Sequence, residues 1–154
     1  MKFEDEHDLS LDEYARKRNL EKTKEPRGEL RNRPENIYVI QKHEATHLHY
    51  DLRLEMDGTL KSWAVPKEPP LTPGIKRLAV QVEDHPVEYA NFAGTIPEGE
   101  YGAGTVVIWD KGTYKLVDRK EDKLIVEIHG ERLKGMYVLV RLKGGKNWLL
   151  FKKK

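Results

Sequence analysis

The segment from His47 to Met56, followed by Asp57-Gly58 and then Thr59 to Val65, leaves this chain little choice of local structure. From Leu48 onward the residues alternate strictly. Leu48, Tyr50, Leu52, Leu54 and Met56 share one face, and His47, His49, Asp51, Arg53 and Glu55 share the other. A period of two is that of a strand with one face buried. Asp-Gly between two such runs is a strong signal for a two-residue hairpin turn. With that turn, Leu52 lies opposite Trp63 and Tyr50 opposite Val65, while Asp51 faces Ala64 and Arg53 faces Ser62. Apolar groups are paired on the inner side, and small residues leave space above the charged groups. A solvated strand face usually carries Ser, Thr, Lys or Glu. Two imidazoles, a carboxylate and a guanidinium in a row suit a hard or borderline metal ion beside an anion, of which phosphate is the foremost candidate.

The rest of the chain carries the same period. Strands are expected over Ile37–His43, Ile75–His85, Thr105–Trp109, Thr113–Val117, Leu124–His129, Met136–Leu142 and Trp148–Lys152. A turn is expected at Asp110-Lys-Gly112, and a proline-stiffened loop over Pro66–Gly74. In Ile75–His85 the alternation assigns Leu78, Val80 and Val82 to the core and Arg77, Ala79, Gln81, Glu83 and His85 to the polar side. Short strands separated by turn signals give a mainly β fold, a compact antiparallel β-barrel. Residues 1–36 differ. Ser10-Leu-Asp-Glu13 is a capping box for a short helix ending near Lys17 or Arg18, and an irregular arm follows that is expected to be partly mobile. The division is thus 1–36 for helix and arm and 37–154 for the barrel, one domain overall at 154 residues.

Near-neutral net charge, +2, means that affinity for a polyanion has to come from local clusters. The chain has no cysteine, which excludes disulfides, thiolate metal sites and cysteine nucleophiles. It starts without the basic and apolar regions of a signal peptide, and no apolar run is long enough to cross a membrane. A soluble, cytoplasmic protein without membrane association is expected.

His43, His49 and Asp51 are the metal candidates. His49 and Asp51 stand at i and i+2 on a strand and point the same way, and a short Glu44–Thr46 connection can bring His43 alongside. Two imidazoles and a carboxylate with open positions suit Mn²⁺, Zn²⁺ or Fe²⁺. Arg53 on the same face, and Arg77 and His85 on the other polar strand, supply anion-binding groups, with His85 either a proton donor or a phosphate clamp. His47 and Glu55 are read as supporting or solvated, and His7 and His129 as ordinary surface residues. Gly99, Gly102 and Gly104 form no P-loop and read as a structural turn. Trp63, Trp109 and Trp148 read as core.

Several blocks carry a family resemblance: Gln41-Lys-His-x5-His-Tyr-Asp-Leu-Arg-Leu-Glu55, Lys61-Ser-Trp-Ala-Val-Pro-Lys67, Lys76-Arg-Leu-Ala-Val80, Val82-Glu-Asp-His-Pro86 and Ile96-Pro-x-Gly-x-Tyr-Gly-Ala-Gly104. From about Tyr14 onward the chain resembles the 3′-phosphoesterase domain of bacterial DNA ligase D and its stand-alone relatives. At this length it is most similar to the stand-alone type, without ligase or polymerase modules. The resemblance implies a compact β-barrel and Mn²⁺-dependent trimming of DNA 3′ ends, with other divalent transition metals as possible substitutes. A phosphodiesterase step removes a 3′-terminal ribonucleoside, and a phosphomonoesterase step then leaves a 3′-hydroxyl for a separate ligase or polymerase. The implied substrates are DNA or RNA-tipped DNA ends, above all primer–template ends.

Position by position, His43, His49 and Asp51 match the family's metal ligands. Arg53 and Arg77 match phosphate-contacting arginines, and His85 matches the essential histidine. Lys67, Glu83, Gln41 and Tyr89 match further active-site positions. Arg18-Asn-Leu-x-x-Thr-x-Glu25 is similar to a segment of the diesterase step, with Asn19 where an aspartate is usual. On the residues alone, two other classes stay open. A mononuclear iron oxygenase would also use two histidines and a carboxylate, though the flanking Arg53, Arg77 and Lys67 favour phosphate. A non-catalytic nucleic-acid-binding barrel would bind in a salt-sensitive way but would leave the His/Asp/Arg row unexplained.

Overall fold

A computed structural model describes residues 36–154 apart from Tyr101. The helix and arm expected within residues 1–36, with Arg18, Asn19 and Glu25, lie outside the described residues, save Asn36. Among the described residues there are nine strands: β1 (Asn36–Glu44), β2 (Leu48–Met56), β3 (Thr59–Val65), β4 (Lys76–His85), β5 (Gly94–Ile96), β6 (Gly104–Lys120), β7 (Lys123–Gly130), β8 (Lys134–Arg141) and β9 (Asn147–Lys152). One 3-10 helix, Val87–Asn91, follows β4. The sheet order is β1-β2-β3-β4-β9-β8-β7-β6-β5, and a further pairing of β1 with β6 closes eight of the strands into an antiparallel barrel, with β5 a short addition on β6. Closure leaves no free edge within the ring. Among the described residues no helix is long and apolar enough to cross a membrane.

The hairpin holds the register read from the sequence: Leu52 pairs with Trp63, Tyr50 with Val65, Asp51 with Ala64 and Arg53 with Ser62. Asp57 and Gly58 both take positive φ, as such a turn requires. The barrel interior is apolar and aromatic, built from Tyr38, Ile40, Leu52, Leu54, Trp63, Tyr114, Tyr137, Leu139, Trp148 and Leu150 among others. Three of its buried tyrosines reach an acceptor. Tyr38 donates to Asp110 Oδ2 (2.8 Å), Tyr114 to the Glu55 carbonyl (2.5 Å) and Tyr137 to the Pro70 carbonyl (2.8 Å). A second, smaller cluster of Val39, Leu60, Val87 and Ala90 lies on the outer face, where the 3-10 helix covers the sheet. The polar row of β2 belongs to this outer face, so the candidate site is built outside the barrel and roofed in part by the helix.

Two expectations are corrected. Asp110-Lys-Gly112 is not a turn, because Gly104–Lys120 is one 17-residue strand. Asp110 sits at an irregularity in the β1–β6 pairing, between Ile40↔Asp110 and Gln41↔Ile108. Its buried carboxylate accepts from Tyr38 and from the backbone N–H groups of Glu131, Arg132 and Leu133. Gly112 is needed because a Cβ there would stand 2.1 Å from the His129 carbonyl oxygen on the neighbouring strand. Asp110→Ala would strand four donors, so it is expected to destabilise the barrel by roughly 4 kcal/mol. Urea unfolding followed by tryptophan fluorescence checks this.

The faces of β4 are also reversed relative to the sequence reading. Ala79 is fully buried, and Gln81 lies inside opposite Trp63, where its Oε1 accepts from Trp148 Nε1 (3.1 Å). Leu78 and Val82 are 41% and 37% exposed. The large indoles of Trp63 and Trp148, packed edge to face at 5.6 Å, fill the space in front of Ala79, and Gln81 is accommodated there by its bond to Trp148. Further along, Ser62 pairs with Val82 but Leu60 pairs with His85, so Glu83 and Asp84 together oppose Lys61. This β-bulge returns His85 to the outer face beside Arg53. Lys61 bonds Asp84 (3.1 Å) across the bulge.

Candidate metal and phosphate site

Three strands bring the site together. His43 on β1 pairs with His49 on β2, and Asp51 is the next outward-facing residue of β2. His43 Nδ1 and His49 Nε2 are 3.2 Å apart, and Asp51 Oδ2 lies 3.8 and 3.3 Å from them. One ligand atom from each of the three lies within 4.8 Å of the others. The outer nitrogens are occupied by carbonyls: His43 Nε2 donates to Gly102 O (2.7 Å) and His49 Nδ1 to His47 O (3.0 Å). A carbonyl only accepts, so the outer nitrogen of each ring is a donor, and in the neutral ring the inner nitrogen turns a lone pair inward. Two inward lone pairs and a carboxylate oxygen repel one another unless a metal ion, or a proton on His49 shared with Asp51, lies between them. This donor set fits a divalent metal ion, with both tautomers fixed by backbone acceptors.

Titration follows the same logic. Burial lowers the affinity of His43 for a proton, and the neighbouring His49 and Arg53 add to this against the opposing pull of Gly102 and Asp51. The bond to Asp51 raises the pKa of His49. Burial pushes the Asp51 carboxyl up, but the His49 bond and the charges of Arg53, His49 and His43 together outweigh it, and the net direction is down.

Arg53 is 4% exposed and its guanidinium is held at every edge. Nε donates to Gln41 Oε1 (2.6 Å), Nη1 to Ser62 Oγ (2.8 Å), and Nη2 lies 3.6 Å from Asp51 Oδ2. Nη1 is also 3.1 Å from His85 Nδ1, which in turn is 3.0 Å from the Glu83 carbonyl. Gln41 is fixed from behind by donating to the carbonyls of Tyr89 (2.8 Å) and Phe92 (3.1 Å). The Tyr89 ring lies 4.9 Å from Arg53 Cζ and 4.9 Å from the His85 ring, and stacks on Phe92 at 5.0 Å. A planar cation locked beside an imidazole, and next to a metal-binding cluster, is suited to a phosphoryl group.

The candidate residues therefore divide. His43, His49, Asp51, Arg53, His85, Gln41 and Tyr89 form one connected constellation, to which Glu83 contributes its carbonyl. Lys67 is exposed in the loop after β3. Arg77 pairs with Leu150, on the inner side of β4, and its Nε donates to the Glu68 carbonyl (2.8 Å). Among the described contacts neither Lys67 nor Arg77 touches the cluster.

Two partners were not singled out from the sequence. Gly102, with φ of +76°, presents its carbonyl to His43. The glycine spacing in that loop was the available signal, read there as a turn. Ser62, fully buried, donates to the Leu60 carbonyl (3.0 Å), which leaves its lone pairs for Arg53. Ser62→Ala is expected to keep the fold while lowering turnover of a phosphate substrate about tenfold, because Arg53 loses one of its anchors. Steady-state kinetics alongside thermal melting checks both parts.

The fold and cluster define a small antiparallel barrel that can hold a divalent metal beside a buried arginine and a histidine. Residues 41–141 match the model of the DNA ligase D 3′-phosphoesterase domain, and the chain belongs to that family. It is 50% identical over 155 residues to the multifunctional non-homologous end joining protein LigD of Pseudomonas aeruginosa, covering 94% of this chain and 18% of that protein. It is 48% identical over 145 residues to the multifunctional non-homologous end joining DNA repair protein LigD of Mycobacterium tuberculosis, covering 90% of this chain and 19% of that protein. The corresponding protein of Mycolicibacterium smegmatis is 48% identical over 157 residues, with 94% and 20% covered. The chain thus spans about a fifth of the length of the relatives it matches.

Proposed function

We propose that this protein is a metal-dependent 3′-phosphoesterase that heals DNA ends for non-homologous end joining. The observation that carries this reading is the convergence of His43 Nδ1, His49 Nε2 and Asp51 Oδ2 beside the immobilised Arg53 and His85. His43, His49 and Asp51 would hold the ion, for which Mn²⁺ is the assignment. When bound it supplies Lewis-acid stabilisation of a phosphate oxygen.

The chain's own groups do the rest. Arg53 binds the non-bridging phosphate oxygens and offsets charge that develops in transfer. It moves little during the reaction, because Gln41, Ser62 and Asp51 already fix its plane. His85 has its Nδ1 engaged by the protein, so the proton given to the leaving oxygen, or the bond to phosphate, is carried at Nε2. Tyr89 packs against both groups and keeps His85 in place. Lys67 and Arg77 add positive potential from the loop side.

The substrates are 3′ ends of DNA, including ends tipped by one ribonucleotide. Water attacks phosphorus in each step. The diesterase step breaks the bond to the 5′-oxygen of the terminal nucleoside, which leaves protonated, and keeps a 3′-phosphate. The monoesterase step breaks the bond to the 3′-oxygen, releasing inorganic phosphate and leaving a 3′-hydroxyl for a separate ligase or polymerase. Arg18, Asn19 and Glu25 are assigned to the diesterase step, with neutral Asn19 weakening it relative to the monoesterase.

A 5′-labelled primer on a template, ending in one ribonucleotide, tests the reading on a denaturing gel. Mn²⁺-dependent conversion to a 3′-phosphate end and then a 3′-hydroxyl end is expected. Unchanged ends with Mn²⁺ and other divalent metals would refute it.

A further inference from the structure

We propose that the outer face of β4, formed by Leu78, Val80 and Val82, is the subsite for the nucleoside whose 3′-oxygen bears the reacting phosphate. This rests on the phosphoesterase reading and adds to it where the base and sugar lie. Register makes the placement. Across the outer face, Arg53 pairs with Ser62 and Ser62 with Val82, while Asp51 pairs with Ala64 and Ala64 with Val80. The row therefore runs from the phosphate-handling groups, over two small residues, to an aliphatic ridge. β4 stands two strand spacings from β2, about 10 Å. That is comparable to the span of a nucleoside 3′-phosphate from phosphorus to the edge of its base.

On the other flank Val87 and Ala90 of the 3-10 helix cover Val39 and Leu60, and the Tyr89–Phe92 stack stands against Arg53 and His85. Among the described residues, the β4 side offers exposed apolar surface next to Ser62 and Ala64. Leu78 and Val82 are 41% and 37% exposed. Scattered exposed aliphatics need no explanation, but two exposed and one half-buried, Val80, in succession on one strand face at the edge of a polar site form a surface. The far margin is basic. Lys76 lies over the Phe151 ring at 5.7 Å, and Lys146 adjoins Asn147, the partner of Val80. An apolar wall ending in ammonium groups matches a nucleoside followed by the next phosphate of its strand. It does not match a purely apolar protein partner.

The test compares two 3′-phosphate primers, one with a normal terminal nucleotide and one whose terminal sugar is a reduced abasic residue. The full chain with Mn²⁺ is used, as wild type and as the double variant Val80→Ser, Val82→Ser. Both side chains are at least partly exposed, and thermal melting verifies the fold. The milder Val82→Thr serves as a second variant. The wild type should show a lower KM for the base-bearing end. The double variant should raise that KM roughly tenfold, shift the abasic KM by less than twofold and leave kcat nearly constant. Val82→Thr should move KM the same way by less.

Equal loss on both primers, or no loss on either, would overturn the subsite. A change in oligomeric state caused by the variants, with KM unmoved, would overturn it in favour of a protein interface. A wild type inert on both primers would mean that the phosphoesterase reading itself had failed, and the subsite with it.

Discussion

His49→Ala is expected to abolish Mn²⁺ binding and to lower hydrolysis of both 3′-phosphate and ribonucleotide-tipped ends by on the order of 10³-fold or more. The change removes one inward lone pair, and the two remaining donors, His43 Nδ1 and Asp51 Oδ2, are 3.8 Å apart and no longer enclose an ion. The imidazole is partly exposed, so the metal-free variant should melt within a few degrees of metal-free wild type. The same site gives a pH signature. Without metal, the His49 pKa is raised by Asp51, so the pair stabilises the fold fully below the unfolded value of about 6.5 and loses that contribution as pH rises through the folded value. Metal needs the deprotonated ring, so its stabilisation grows over the same range. Thermal melts with and without Mn²⁺ should diverge as pH increases from about 6 to 8, and in His49→Ala the divergence should vanish.

Arg53→Lys is expected to lose 10²-fold or more in kcat, about what removal of one preorganised donor costs, although charge is conserved. The guanidinium uses Nε for Gln41, Nη1 for Ser62 and the His85 side, and Nη2 for the Asp51 side. One ammonium cannot span those directions. Arg53→Ala goes further, because Asp51 and Gln41 are buried and would be left without their cationic partner. It should cost about 3–5 kcal/mol of stability as well as activity. Kinetics and chemical unfolding on the two variants separate these effects. A fully active Arg53→Lys would show that only net charge matters there.

The β2–β3 hairpin was legible because a period of two and an Asp-Gly turn leave one register, and the same period of two puts His49, Asp51 and Arg53 on one face of β2. His43 was legible because the short link to β2 left it nowhere else to go. Elsewhere the pattern pointed the wrong way. In β4, hydrophobicity assigned Leu78, Val80 and Val82 to the core, but Trp63 and Trp148 fill the space in front of Ala79 and accommodate Gln81, a constraint set by partners distant in sequence. The bulge at Glu83 and Asp84 then brought His85 to the site face for a reason that alternation does not encode. Asp110-Lys-Gly112 looked like a turn because the acceptors and close approach that suit Asp and Gly to turns also suit them to a strand beside the β7–β8 connection.

A Mn²⁺ titration of chelator-treated protein, with bound ion and hydrolysis of a 3′-phosphate primer measured on the same samples, tests the metal-dependent reading most directly. No hydrolysis is expected without metal, with recovery in proportion to binding at a single site per chain and loss of both in His49→Ala. Full hydrolysis by the metal-free protein, or recovery in His49→Ala equal to wild type, would contradict it.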